Sequence, residues 1–228
     1  MDYREFAPPP ALAGLVKARW TLTGGGDADA WIAQQATPDG CIELIRRTHG
    51  RSRWDGDQPA DFVVGLVDRP QAFMISGDAA FEALRLWPWA WTALGGAPLA
   101  QITGRWQACP AADFEAIERR LSAATDLGVL GLAIIGAPTV AAMNATTGMA
   151  PRALQRWFAA HVGVPPRAYL RLLRFQKAFE TLPRETSLAG HAADGGFADQ
   201  AHMAREFREL AGVPAGQARV RARGPFLR

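Results

Sequence analysis

Cysteine is scarce in this chain: Cys41 and Cys109 are the only two in 228 residues, with no CxxC pair and no cysteine-rich spacing. That excludes a disulfide framework or a thiolate zinc site, and it fits a reducing compartment; both are read as small buried side chains. Histidine is nearly as scarce, with four in total and only His49 within residues 1–136. A catalytic metal site usually wants about three protein ligands, frequently histidine, so neither metal nor cofactor is expected. No GxSxG, phosphate-cradling glycine loop or Ser/His/Asp order is present, and the chain is not expected to be an enzyme. Charge is missing altogether from Leu127 to Pro151, yet Gly128, Gly131, Gly136 and Pro138 interrupt that stretch. It falls short of the roughly 20 apolar residues of a membrane span. Asp2, Arg4 and Glu5 followed by Pro8-Pro9-Pro10 form neither the basic nor the apolar part of an export signal, so a cytoplasmic location is expected.

What is present is a globular composition, 49% hydrophobic and 21% charged, rich enough in apolar residues for a packed core. The net charge of +3 hides an asymmetry. Residues 1–136 hold 12 Lys and Arg against 16 Asp and Glu, whereas residues 137–228 hold 13 against 6. Only the second half is dressed for a polyanion.

From Trp31 to Trp87 short apolar runs alternate with turn residues. Trp31–Ala36, Cys41–Ile45, Phe62–Val67, Phe73–Ile75 and Phe81–Trp87 are separated by Pro38-Asp39-Gly40, Asp55-Gly56-Asp57, Asp68-Arg69-Pro70 and Ser76-Gly77-Asp78. This pattern predicts an antiparallel sheet or small barrel. Helical spacing follows around Trp89–Leu94, Pro98–Thr103 and Asp113–Ala124, the last burying Phe114, Ile117 and Leu121. The glycine-rich segment near 126–137 is expected to be a domain junction, giving a β-rich regulatory domain over 1–125 and a helical domain over 126–228.

Beyond Pro138 the chain reads as successive short helices. Pro151 can open one that buries Leu154, Trp157, Phe158 and His161 and ends at Gly163. Pro165-Pro166 opens a longer one ending near Leu182 before Pro183, with Leu170, Leu173 and Phe179 inward. Ser187 can cap a third, stopped by Gly195-Gly196. A fourth runs from Asp199 to Leu210, burying Met203, Phe207 and Leu210, and Gly212 closes it. The layout of short helix, glycine turn and longer helix thus occurs twice, as a helix-turn-helix requires.

The stretch from Pro138 to about Arg219 resembles the AraC/XylS family of transcription regulators. The likeness rests on Gly148-x5-Leu154-Gln155-Arg156-x-Phe158, Gly163-x-Pro165, the Tyr169-x3-Arg-containing linker helix and Gly196-Phe197-x-Asp199-Gln200-x-His202-x2-Arg205-x-Phe207. It implies an α+β chain whose C-terminal all-α domain joins two helix-turn-helix motifs by one long helix and binds double-stranded promoter DNA. By position it implies base-facing Arg152, Gln155 and Arg156 from the first unit and Gln200, Ala201, Ala204 and Arg205 from the second. The chemistry agrees independently, since Arg pairs bidentately with guanine and Gln with adenine. Arg167, Arg171, Arg174 and Lys177 fall on one stripe of the linker helix. Arg171 and Arg174 are the phosphate-contact candidates from that stripe, which reads equally well as a solvated face.

Three departures from the family pattern concern stability. His191, beside Gly190, stands where an aliphatic core residue is usual, and reads as a buried neutral side chain or a pH-sensitive one. The first recognition helix lacks its usual serine cap, which costs about 0.5–2 kcal/mol. The closing helix has Ala215-Gly216-Gln217-Ala218 in place of a serine and an aromatic.

Pro38-Asp39-Gly40-Cys41-x-Glu43-Leu44, Val64-Gly65 and Arg69-Pro70 resemble an uncharacterised β-rich, cupin-like domain that precedes many AraC-type units. That resemblance covers roughly residues 3–110 and implies a small barrel with flanking helices, serving as ligand sensor or dimerisation surface. The expected further partners are therefore a small-molecule effector and a second copy of the chain. Glu43, Trp87 and Trp89 are the ligand-contact candidates, although ordinary core and surface-turn roles compete for each. The rival readings are a ligand-binding or metal-dependent cupin-like protein with a degenerate helical tail, and a basic architectural protein without sequence choice.

Overall fold

The computed structural model describes residues 1–182, 188–223 and 226–227. The chain opens with β1 (Asp2–Phe6), a 3-10 turn (Pro10–Leu12), β2 (Val16–Thr23), β3 (Trp31–Ala36), β4 (Ile42–His49), β5 (Ser52–Arg53), β6 (Asp61–Val64), β7 (Gln71–Ser76) and β8 (Ala80–Leu86). Helices α1 (Pro88–Ala93) and α2 (Leu99–Ile102) lead to β9 (Trp106–Ala108). Helices α3 (Phe114–Leu121), α4 (Thr125–Gly136), α5 (Val140–Thr147), α6 (Pro151–His161), α7 (Pro166–Thr181), α8 (Leu188–Asp194), α9 (Gln200–Leu210) and α10 (Ala215–Arg221) follow. Two short strands, β10 (Ala222–Arg223) and β11 (Phe226–Leu227), come last.

All strand pairings are antiparallel and build two sheets, ordered β1-β2-β8-β4-β6-β9 and β10-β11-β3-β7-β5. The central strands of the larger sheet are apolar on both faces because each face has its own core. Ile42 and Leu44 of β4, Val63 of β6, and Leu84 and Leu86 of β8 pack against the helices. Their neighbours Phe62, Val64, Phe81 and Ala83 point the other way, toward Ile75 of the smaller sheet and Trp54 beside it. The same alternation carries Glu43 and Arg85 inward, and the register sets these two directly opposite each other.

Every expected apolar run overlaps a strand, though Phe62–Val67 runs three residues past β6, and the strands begin earlier than the run at Trp31. β1 and β2 precede it, and Val16, Ala18, Trp20 and Leu22 carry the alternation that marks β2. The glycine-rich stretch 126–137, expected as a domain junction, is helical and forms α4. Its glycines allow close approach: a Cβ on Gly131 would stand 2.2 Å from the Gly14 carbonyl oxygen and 2.5 Å from Trp89 Nε1. Helix α4 thereby seats on the Pro10–Leu12 turn and α1.

One apolar cluster runs without a break from the sheet into the helices, joining Leu84, Leu86 and Trp89 to Phe158, Tyr169, Phe179 and Phe207. Trp89 is fully buried, 5.9 Å from the Trp157 ring of α6 and 6.1 Å from the Tyr169 ring of α7. Polar ties follow the same seam: Tyr169 Oη donates to the Gly40 carbonyl at 3.0 Å, and Lys17 of β2 pairs with Glu180 of α7 at 3.0 Å. Gln35 of β3 donates to the Ala211 carbonyl just past α9, and β11 pairs with β3 through Phe226 opposite Ala36. No helix among the described residues is long and apolar enough to cross a membrane.

Candidate nucleic-acid interface and an internal cavity

The first helix-turn-helix is α5, the turn at Gly148, and α6. Thr139 caps α5 by accepting from the Ala142 amide. Gly148 takes φ 68°, a left-handed conformation that costs glycine little. Asn144 Nδ2 donates to the Met149 carbonyl at 2.8 Å and pins the turn. Pro151 stands in the first turn of α6 behind Ala150, which makes no side-chain cap, as the missing serine led us to expect. Leu154 and Phe158 are buried on one side, and Arg152, Gln155 and Arg156 are exposed on the other.

The second unit repeats the plan with α8, Gly195-Gly196 and α9. Gly196 has φ 72°, and Asp199 caps α9 by accepting from the His202 amide at 2.6 Å. Met203, Phe207 and Leu210 are buried; Gln200, Ala201 and Arg205 are exposed and Ala204 is half-buried. His191 of α8 is 2% exposed, and its Nε2–H donates to the Ala178 carbonyl of α7 at 2.8 Å. An imidazole thus supplies a polar tie between α8 and α7 where an aliphatic side chain would only pack. Ser187, expected to cap this helix, and Pro183, expected to stop α7, lie outside the described residues.

Helices α6 and α9 each span 11 residues, and the 16-residue α7 separates them. The candidate stripe on α7 divides by environment. Arg171 Nε lies 2.7 Å from Glu206 and its terminal nitrogen 2.5 Å from Glu209, both on α9. Hydrogen bonds donated to these carboxylates push the guanidinium's affinity for its proton still higher, and Glu209 is held below the usual carboxylate range. Arg171 therefore braces α7 to α9, and its charge is already compensated. Arg174 is half-buried beside Gly196, while Arg167 and Lys177 are exposed. Arg152, Arg156, Arg174 and Arg205 have no carboxylate partner among the described residues.

The inner faces of the two sheets enclose a cavity of about 70 Å³, on a measure by which one buried water needs roughly 10–15 Å³. Trp20, Trp54, Phe62, Phe73 and Phe81 supply its aromatic walls, and Gln34, Asp39, Glu43, Ser52 and Gln58 its polar groups. Behind Asp39 and Glu43 at its polar end lies Arg85. Fully buried, it bonds Glu43 at 2.7 Å, Glu5 at 2.8 Å and Asp39 at 3.1 Å. Trp20 Nε1 donates to the other Glu43 oxygen at 2.7 Å. Burial pushes the Glu43 carboxyl up in spite of Arg85. At Glu5 burial acts the same way, but Arg85, Tyr3 and Lys17 together hold the carboxyl below its ordinary value. Ser52 Oγ is buried without a hydrogen-bond partner among the described residues, a state that costs about 1–3 kcal/mol.

Of the three expected ligand-contact residues, only Glu43 lines this cavity. Trp87 and Trp89 stack on each other at 5.9 Å in the seam between sheet and helices, and their indole N–H groups donate to the Ala13 and Gly14 carbonyls. They are core, as their apolar surroundings require. The sequence reading missed Arg85, Ser52, Gln34 and Gln58. A lone arginine in the apolar run Phe81–Trp87 was the available signal, because a buried charge demands partners.

Comparison with known proteins bears on both halves. Residues 143–221 match the model of a helix-turn-helix domain, and residues 4–107 match a domain of unknown function, DUF6597. No curated protein matches the chain. Among solved structures, apo ToxT from Vibrio cholerae is 9% identical over 89% of this chain and 97% of its own, with a TM-score of 0.47. Wild-type ToxT bound to an unsaturated fatty acid is 10% identical over 88% and 92%, with a TM-score of 0.45. A probable AraC family regulator from Rhodopseudomonas palustris is 26% identical over 42% of this chain and 94% of its own, with a TM-score of 0.36. The chain thus carries a helix-turn-helix domain in its C-terminal half, behind an N-terminal domain that matches DUF6597.

Proposed function

We propose that the chain reads promoter DNA through both helix-turn-helix units and that a small molecule in the cavity between its sheets controls that binding. The observation that carries the reading is the matched pair of recognition helices. Each turns its apolar stripe inward and an arginine- and glutamine-bearing face outward, and both are anchored on α7. Arg152, Gln155 and Arg156 read bases from α6; Gln200 and Arg205, flanked by small Ala201 and Ala204, do so from α9. Arg174 contacts phosphate, whereas Arg171 holds the second recognition helix at its working distance from the first. The regulatory unit is residues 1–125 and the DNA-binding unit 126–228.

Control by ligand rests on a short path through the seam. Asp39 and Cys41 line the cavity, and the carbonyl of Gly40 between them accepts the hydrogen bond from Tyr169 of α7. A ligand that shifts this turn shifts the helix carrying both units.

Selection of bound fragments from a random duplex pool tests the DNA reading. A bipartite site with half-elements about one helical turn apart is expected; a single short element would mean that only one unit reads bases. Arg171→Ala separates brace from phosphate contact. As a brace it should weaken the bipartite site about three- to tenfold while leaving the slope of log affinity against log salt unchanged. A slope reduced by about one would instead assign Arg171 to the backbone of the DNA.

A further inference from the structure

Ser52 poses a specific question, because its side chain, in a residue 3% exposed, has a hydroxyl without a partner among the described residues and sits in the wall of the cavity. Buried polar groups in folded proteins nearly always have a partner, and an exception calls for an absent one. Two further neutral groups, the amides of Gln34 and Gln58, line the same space and are themselves buried. Thr37 and Cys41 also line it, and most of the remaining walls are aromatic or aliphatic. The charged groups at the far end are spoken for: one Glu43 oxygen takes Arg85 Nε and the other Trp20 Nε1, while Asp39 takes Arg85 and the Cys41 amide.

Three carboxylates around one buried guanidinium leave no cation free to receive an anion. Carrying a carboxylate or phosphate into such a space would bury a charge beside others of its own sign, a cost no contact here offsets. A cation entering at that end would be set beside the buried Arg85 guanidinium, which Glu43 and Asp39 already hold. Planar rings suit walls in which Trp20, Trp54, Phe62, Phe73 and Phe81 all take part.

From the unpartnered Ser52 hydroxyl and these walls we infer that the cavity binds a small uncharged aromatic molecule bearing a hydroxyl or similar hydrogen-bonding group, with Ser52 as its polar anchor. This inference rests on reading the N-terminal half as the sensor and adds the chemical class of what it senses.

Calorimetric titration of the full chain with four one-ring probes tests it: 4-methylphenol, toluene, 4-methylbenzoate and 4-methylbenzylamine. One equivalent of 4-methylphenol is expected to bind, about tenfold more tightly than toluene and at least tenfold more tightly than either charged probe. In Ser52→Ala the advantage of 4-methylphenol over toluene should disappear while toluene binding persists, which also reports that the cavity is still folded. Failure of every probe to bind overturns the inference, as does a charged probe that equals 4-methylphenol or an unchanged preference in Ser52→Ala. The same preparations are titrated with the selected duplex. A chain that prefers this DNA but rejects 4-methylphenol overturns the ligand class alone; a chain indifferent to DNA sequence overturns the regulator on which it rests.

Discussion

Replacing Arg156 with alanine is expected to lower affinity for the selected duplex by about 5- to 150-fold, equivalent to ~1–3 kcal/mol for a lost bidentate contact. Affinity for random duplex should fall only a few-fold, because the electrostatic attraction of the basic half survives the loss of one charge. The geometry behind this is direct: Arg156 is exposed on α6, one turn on from Arg152, while Leu154 and Phe158 fix the opposite side of the helix in the core. Since Arg156 touches no carboxylate among the described residues, its removal leaves no uncompensated group behind. Arg156→Lys is the sharper probe. It keeps the charge and loses the planar fork, so sequence preference should remain impaired while the salt dependence stays as in the parent. Equal losses on selected and random DNA for Arg156→Ala would remove this residue from the reading head.

Arg85→Ala should be the most damaging single change to stability, costing on the order of 3–5 kcal/mol at neutral pH, because a buried cluster loses its central cation. Glu5, Asp39 and Glu43 would then face one another without compensation. The effect has a sign in pH. Buried and stripped of Arg85, the Glu43 carboxyl would keep a folded-state pKa above its unfolded one, so the variant is relatively stable in acid and loses stability as pH rises through the raised value. In the parent chain Glu5 runs the other way. Its depressed pKa contributes stability present above the unfolded value and lost as pH falls through the folded one. Urea midpoints of parent and variant should therefore converge between about pH 7 and pH 4, the range in which ordinary carboxylates take up protons. A gap that stays constant with pH would mean that lost packing, not uncompensated charge, is what Arg85→Ala costs.

The helical half was legible because its signals are local. Gly148 and Gly196 adopt the left-handed turns their placement implied, and the stripes Leu154/Phe158 and Met203/Phe207/Leu210 are buried. Turn chemistry and helical period are written into a few adjacent residues and need no knowledge of distant partners. The strand half was legible only where apolar runs were continuous. β1, with its charged and largely exposed residues, carries little such signal.

What failed to show in the sequence depended on long-range contact. The glycines of 126–137 look like breaks, yet in α4 Gly128 and Gly131 are points of close approach to Gly14 and, for Gly131, Trp89, residues far away in the chain. Trp87 and Trp89 look like a ligand box and prove to be core because α6 and α7 close over them. Arg171 looks like one more member of a basic stripe until α9 brings Glu206 and Glu209 to it. The cavity could not be located at all before the register set Glu43 opposite Arg85 and the smaller sheet placed Ser52 across from them.

The uninterrupted apolar seam sets a limit on how such a protein can be recombined. Trp89 sits under Trp157 and Tyr169, and Gly40 holds the Tyr169 hydroxyl. A reading head cut out and grafted onto a foreign partner would carry this aromatic face uncovered into water. The two halves are thus bound to change together over evolutionary time. A swap that preserved promoter choice would have to bring along the tryptophan, the glycine turn and the helix bed beneath them.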